Sequence, residues 1–400
     1  MLEYLSKARG MGGTLKEQPE DFIVEEIMKD GTVLEIGKTI SHPSKKGDFT
    51  HFVMQKTNWN TIQAIHEVGR LLGTGPRRFG YAGTKDRIAV TVQLCSAWQV
   101  EPARLLSIRP KDISINGAWL AKDAVELGDL AGNQFCITVR GVKKSAAKQV
   151  KEISEELGGV FPNYFGEQRF GSVRSNTHLV GKAMVKGDFK SAVMCYLCLV
   201  GDEELPEAKE ARQRLPNELD FAAALKYFPR YLKYERSMIA YLAERKNDYA
   251  GAIRNLPRSL SLMFVHAYQS HLFNTLLSRR VEKHGSKKLK GDTFCGKNAY
   301  GFPDVEAKGK SFITGRVIGY ETRKLTEGEK RLLKEEGVAQ GDFRVKSLPE
   351  LGSKGTERAL FAPVKDFWFE ARDENGIFTF SLPPGSYATV LLREFIDVKK

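Results

Sequence analysis

The chain has 400 residues, 42% hydrophobic and 28% charged, an ordinary balance for a globular protein and long enough that two domains are expected. No apolar run approaches the roughly 18–20 residues of a membrane span. Met1–Gly13 carries charges but no apolar signal stretch, so the expected compartment is the cytoplasm. A formal net charge of +13 suggests a polyanionic partner, most commonly RNA or DNA, without naming one.

In chain order, residues 22–27 and 50–56 read as strands. Residues 61–72 have helical spacing, with Ile62, Ile65, Val68 and Leu72 toward one side and Asn60 or Thr61 as the N-cap. The β-branched run 88–94 and the segment 135–140 read as further strands, which makes the first part α+β. From about Asn176 to about Glu335 the pattern turns helical, over 181–199, 207–214, 221–227, 234–245 and 259–282. The last of these keeps a 3.6-residue period through Leu260, Phe264, Ala267, Tyr268, His271, Leu272 and Leu276. Residues 367–371 and 377–380 return to strand character, and a short helix over 387–395 closes the chain. Strands on both sides of a helical block suggest a second domain inserted into the first, 176–345 within 1–175 and 346–400.

The five cysteines, Cys95, Cys136, Cys195, Cys198 and Cys295, are scattered, as expected of reduced thiols. Cys195 and Cys198 form a C-x-x-C without a second pair, and read as buried thiols of an apolar helix rather than zinc ligands. Three basic clusters, Lys45-Lys46, Arg77-Arg78 and Lys287-Lys288-Leu289-Lys290, suit phosphate contacts and solvated surface equally. Gly73–Arg78 begins like a dinucleotide fingerprint but lacks its third glycine, and Gly80–Asp86 lacks Walker A spacing. His266 and His271 are five apart, not the i,i+4 pair of a zinc-binding helix, and read as packed helix residues. No metal, nucleotide or flavin is implied; the expected cofactor is none.

Phe79-Gly80-Tyr81-Ala82-Gly83-Thr84-Lys85-Asp86-Arg87 stands just ahead of a strand. An aspartate between two cations has its charged form favoured, as a carboxylate nucleophile requires. The bland alternative is a tight turn whose Asp caps backbone amides, and local physics alone leans that way.

Five ordered segments carry a resemblance. They are Leu15–Glu25 (LKEQPEDFIVE), Tyr81–Asp86 (YAGTKD), Pro162–Gly171 (PNYFGEQRFG), Gln269–Asn274 (QSHLFN) and Leu382–Thr389 (LPPGSYAT). With them the chain resembles the TruD family of pseudouridine synthases, which modify uridine 13 of transfer RNA, in an archaeal-like form. The resemblance implies an α+β catalytic domain with a mixed, mainly antiparallel sheet, carrying an inserted, helix-rich, family-specific domain. It implies Asp86 as nucleophile and Lys16 beside it, with Phe22, Asn163, Phe165 and Tyr387 at the uridine pocket. Tyr387 departs from the family's usual Phe there, keeping the ring and adding a hydroxyl. Arg77, Arg78, Arg169 and Arg174 are weaker expectations for phosphate contacts. The implied partner is tRNA, with other RNAs open, and no membrane. The uracil must leave the RNA stack, and aromatic stacking offsets part of that cost at about 1–3 kcal/mol per base. Asp86 then attacks C1′, adds to C6, or assists a glycal route; all three stay open. Two other readings are a non-catalytic RNA-binding protein on the same fold and a nucleotide-dependent enzyme using the Gly73–Asp86 loop. The first would be marked by a lost aspartate, the second by nucleotide binding.

Overall fold

β-Branched and aromatic residues alternate with polar ones along strands from both the first part of the chain and its C-terminal stretch, and this period of two builds a nine-stranded sheet. The computed structural model describes residues 2–171, 173–202 and 204–397. It divides into two compact units, one made mainly of Tyr164–Thr293 and Thr314–Leu360, the other of Tyr4–Asn163, Phe294–Ile313 and the C-terminal stretch from Phe361.

The sheet lies in the second of these. Its strands are β1 (Thr14–Leu15), β2 (Phe22–Ile27), β3 (Phe49–Thr57), β4 (Phe79–Tyr81), β5 (Val90–Trp98), β6 (Ile113–Ala121), β7 (Gly132–Arg140), β8 (Lys365–Arg372) and β9 (Asn375–Leu382). The order is β8-β9-β7-β2-β5-β3-β6, with β1 on β7 and β4 on β5. Every pairing is antiparallel except β2 with β5, which runs parallel with Ile23 opposite Val90. The expected mixed, mainly antiparallel α+β sheet is therefore present.

One face of the sheet is covered by the helix Thr61–Leu71, which Asn60 caps by accepting from the Gln63 amide at 2.8 Å. Ala64, Ile65 and Val68 pack there with Phe52, Met54, Cys95 and Ala97. Each large side chain in this layer contributes on the order of 1.5–3 kcal/mol by leaving water. The residues of opposite parity, Val53, Val92 and Leu94, pack on the other face with Leu34, Ala82 and Trp119. Ile62, expected on the buried side, is 52% exposed. The buried stripe runs instead through Thr61, Ala64, Ile65, Val68 and Gly69. Ile88 is also exposed and precedes its strand rather than opening it.

The other unit is built around Arg258–His284, whose Phe264, Val265, Tyr268 and Leu272 share a core with Met184, Val193, Leu197, Ile239, Leu242 and Leu332. The helix expected over 181–199 is two helices, Thr177–Val185 and Phe189–Cys198. Gly187 takes a left-handed φ of 76° between them, and Asp188 caps the second by accepting from the Ser191 amide. Cys195 and Cys198 are only half-buried, but burial still pushes their thiols up, Cys198 to about 11, so neither is a ready thiolate. Among the described residues no helix is long and apolar enough to cross a membrane.

Candidate active site

The parallel pairing of β2 with β5 decides the geometry of the site. Parallel neighbours set their N-terminal ends side by side, so the segment leading into Phe22 meets the segment leading into Val90. Lys16 and Asp86, 70 residues apart, thereby come within 2.6 Å, Nζ to Oδ2. Lys16 reaches there from a left-handed backbone, φ 59°, a conformation that costs a non-glycine residue energy and recurs at functional positions. Its ammonium also lies 4.1 Å from the centroid of the Phe22 ring. Phe22 is buried and meets Phe135 edge-on at 6.2 Å. Lys16, Phe22 and Asp86 thus form one contact group.

The backbone around Asp86 is fixed by side chains that the motif does not contain. Gln93 Nε2 donates to the Gly83 carbonyl at 3.0 Å, and the Lys85 amide donates to Thr61 Oγ1 at 2.9 Å. Lys85 turns inward, giving Nζ to Glu26 Oε2 at 2.7 Å and to Asn133 Oδ1 at 2.8 Å. Lys56 Nζ donates to the Asp86 carbonyl at 2.9 Å and to the Trp59 carbonyl at 2.5 Å. The Asp86 side chain itself is 32% exposed. A rigid backbone under a partly exposed carboxylate is an arrangement suited to a positioned nucleophile or base.

Lys16 is thus a cation that the fold brings against Asp86. Lys85 is spent on Glu26, and Arg87 is exposed. Lys56 is fully buried, and desolvation pushes its amine down to about 8, against the pull of the nearby Asp86 charge. Thr61, Gln93, Glu26, Asn133 and Lys56 were missed by motif reading. Lys56 alone had a visible signal: it occupies the parity of Phe52 and Met54, an inward position where a lysine needs partners.

Asn163 directly follows the short strand Val160–Pro162, which pairs with Phe361–Pro363. It is 4% exposed, and its Oδ1 accepts from Ser386 Oγ at 2.9 Å. Tyr387 is the next residue after Ser386, half-buried at the start of the helix Ala388–Ile396. The structure thus joins the third and fifth matching segments at Asn163 and Ser386.

Phe165 belongs to the other unit. Its backbone is clamped at both groups by Asn274, which accepts from the Phe165 amide and donates to its carbonyl, each at 2.8 Å. The Phe273 ring meets it edge-on at 5.5 Å. Residues 269–274 thereby gain a physical role as the support of residues 164–166. Arg169 is half-buried, 3.3 Å from Ser270 Oγ and beside the Phe165 ring. Arg174 faces inward: it pairs with Glu235 at 3.1 Å and Glu204 at 3.4 Å in a buried cluster with Arg212, which leaves it no reach to a phosphate. Arg77 and Arg78 are exposed, Arg78 lying over Trp98. His271 stacks on His178 at 4.8 Å, and burial holds both imidazoles below their ordinary range, His178 at about 4.

Comparison with known proteins gives a single answer. Residues 1–395 match the family model described as TruD, tRNA pseudouridine synthase D. The chain is 37% identical over 430 residues to a Methanosarcina mazei protein named "Probable tRNA pseudouridine synthase D", covering 99% of this chain and 95% of that one. A Methanopyrus kandleri protein of the same name is 40% identical over 355 residues, covering 88% and 86%. A crystal structure from Methanosarcina mazei, described as a TruD protein, matches with a TM-score of 0.78 at 36% identity over 98% of this chain and 95% of that one.

Proposed function

The chain belongs to the TruD family, tRNA pseudouridine synthase D, and from that premise we propose that it isomerises a uridine of tRNA, position 13 by the family pattern, to pseudouridine with Asp86 as the nucleophile. The observation that carries this reading is the Lys16–Asp86 pair at 2.6 Å above a loop whose backbone is anchored on both sides of Asp86. The ammonium at hydrogen-bonding distance holds the carboxylate in a fixed position. The N-glycosidic bond breaks, the base turns, and C5 bonds to C1′, with the C5 proton lost and N1 gaining one. Atoms and electrons balance within the nucleotide, so the reaction itself calls for no redox or energy cofactor.

The uridine leaves the RNA stack for an aromatic pocket. Phe22, Asn163 and Tyr387, which lie in the unit that holds Asp86, are assigned to it by the family pattern; Phe165 is assigned by the same pattern. Asn163 supplies both donor and acceptor for a base edge or for the loop beside it. The discontinuous catalytic domain, 1–175 with 346–400, carries the helix-rich insertion 176–345 in this reading. The partner is tRNA, other RNAs are secondary candidates, and the protein works in the cytoplasm. Arg77, Arg78 and Arg169 remain candidates for phosphate contacts, whereas Arg174 is not.

The test is to incubate the protein with unmodified tRNA transcript and map pseudouridine, for the wild type and for Asp86→Asn. A folded, tRNA-binding and inactive variant supports the assignment; a variant that still makes pseudouridine overturns it.

A further inference from the structure

The long helix Arg258–His284 runs into a lysine-rich loop over residues 285–292, which the site around Asp86 does not use. We propose that this loop and the last turn of the helix form a docking surface for the RNA backbone, with Lys283, Lys287 and Lys290 on its phosphodiesters. The inference rests on the tRNA reading above and adds to it a binding surface in the helix-rich unit.

The loop is fixed from within. The Arg280 guanidinium donates to both oxygens of Asp292, at 2.7 and 2.8 Å, and to the Lys287 carbonyl at 2.8 Å. Asp292 Oδ2 also accepts from the Leu289 amide at 2.8 Å. The side chains of this pair are only 14% and 9% exposed, so salt screens it weakly. Gly285 and Gly291 take positive φ values of 58° and 94° near the two ends of the loop, where a side chain would be strained. The bidentate arginine thus holds the backbone, and a loop ordered beforehand loses less freedom on binding.

The charges left over are positive. Lys283, Lys287 and Lys290 are exposed, and among the described residues none of them has an ion-pair partner. Asp292 is matched by Arg280, and Glu335 lies between two guanidinium groups, Arg279 at 2.6 Å and Arg331 at 2.9 Å. Within residues 279–292 the other carboxylate is Glu282, so three unpaired lysines stand against one unpaired acid. That is the sign an RNA backbone requires. Lys283 and His284 also suit the negative end of the helix dipole, but that effect fades within the last turn and does not reach Lys287 or Lys290. Lys283, Leu289 and Gly291 line a cavity of about 590 Å³, which gives a phosphate and its ribose room beside the loop. Separate ammonium groups on flexible stems suit a repeating chain of phosphates, whereas one small anion calls for convergent donors.

The test measures affinity for unmodified tRNA transcript against salt concentration. It compares the wild type, the triple variant Lys283→Ala, Lys287→Ala and Lys290→Ala, and a matched triple variant at exposed lysines elsewhere in the same unit, Lys190→Ala, Lys246→Ala and Lys346→Ala. The loop variant should bind more weakly and lose about 2–3 from the slope of log K against log salt, at roughly 0.7–0.9 per phosphate contact. The matched variant should keep the wild-type slope. The single loop variants keep the test decisive if the triple one fails to fold. A folded loop variant with the wild-type affinity and slope overturns the surface. So does an equal loss in the matched variant, which would leave only diffuse charge. Poly-glutamate that displaces the loop-dependent binding as well as tRNA does overturns its assignment to RNA. Asp86→Asn, assayed in parallel, separates the two claims: pseudouridine made by that variant sinks the catalytic reading, and unchanged binding by the loop variants sinks only this one.

Discussion

Replacing Lys56 with methionine separates what the buried ammonium does to stability from what it does to Asp86. Its amine is pushed from 10.5 down to about 8, chiefly by desolvation. At 1.36 kcal/mol per pKa unit, holding the charged form inside costs on the order of 3 kcal/mol at neutral pH. Below pH 8 the folded and unfolded states are both protonated and the full cost is present. Between about 8 and 10.5 the unfolded state binds more protons, so the wild type gains stability as pH rises through that window. Methionine removes the cost and refills most of the volume. It also strips the Trp59 and Asp86 carbonyls of a donor, at about 1–3 kcal/mol each. The two effects largely offset, so the stability of Lys56→Met at neutral pH should stay within about 2 kcal/mol of wild type, and the alkaline rise should vanish. Turnover has no such offset. Loss of the Asp86 anchor should lower the single-turnover rate by roughly 10²-fold, the usual cost of a misplacement of about 1 Å. Single-turnover pseudouridine mapping, run beside denaturant melts from neutral to alkaline pH, reads both quantities. A Lys56→Met enzyme that turns over within about threefold of wild type would refute the anchoring role, since positioning effects of this kind are far larger.

Lys16→Met should likewise lower turnover by roughly 10²-fold, while stability moves by less than about 1 kcal/mol, because the pair with Asp86 is partly solvated; a matched pair of rate and melting measurements checks this. Gly181→Ala should destabilise the helix-rich unit by about 1–3 kcal/mol or more, since a Cβ there would lie 1.9 Å from the Phe264 carbonyl oxygen; the denaturation midpoint reports it. Arg212→Leu should cost about 3–5 kcal/mol by leaving Glu204 and Glu235 buried with one cation fewer, seen in the same melts. Hydrogen bonds from Arg140 hold the Asp21 carboxyl below its ordinary range. The stability it supplies is present above the unfolded-state value near 3.8 and is lost as pH falls through the lower folded-state value. Asp21→Asn should therefore flatten the acid limb of stability against pH.

Helices and strands were legible where periodicity is strong, as at Arg258–His284 and β3. They were misjudged where one residue overrides the period. Gly187 breaks a stretch that hydrophobicity alone runs through, and Ile62 faces solvent because the apolar stripe begins at Thr61. The Ala82–Asp86 motif was recognisable from the sequence, yet its flanking cations suggested the wrong electrostatics. The resemblance set Lys16 beside Asp86, and the structure has that pair; only folding showed Lys85 turned onto Glu26.

The sequence by itself determined the family, through five ordered segments, and with it the candidate nucleophile. It determined the α+β alternation as well, because periods of two and 3.6 are local properties of the chain. What it left open was how the fold brings those segments together. That depended on the parallel β2–β5 pairing, which joins residues 70 apart. It depended equally on buried anchors such as Lys56 and Asn274, whose partners lie on other elements. Contacts of that kind are set by strand order and packing, and no local pattern encodes them.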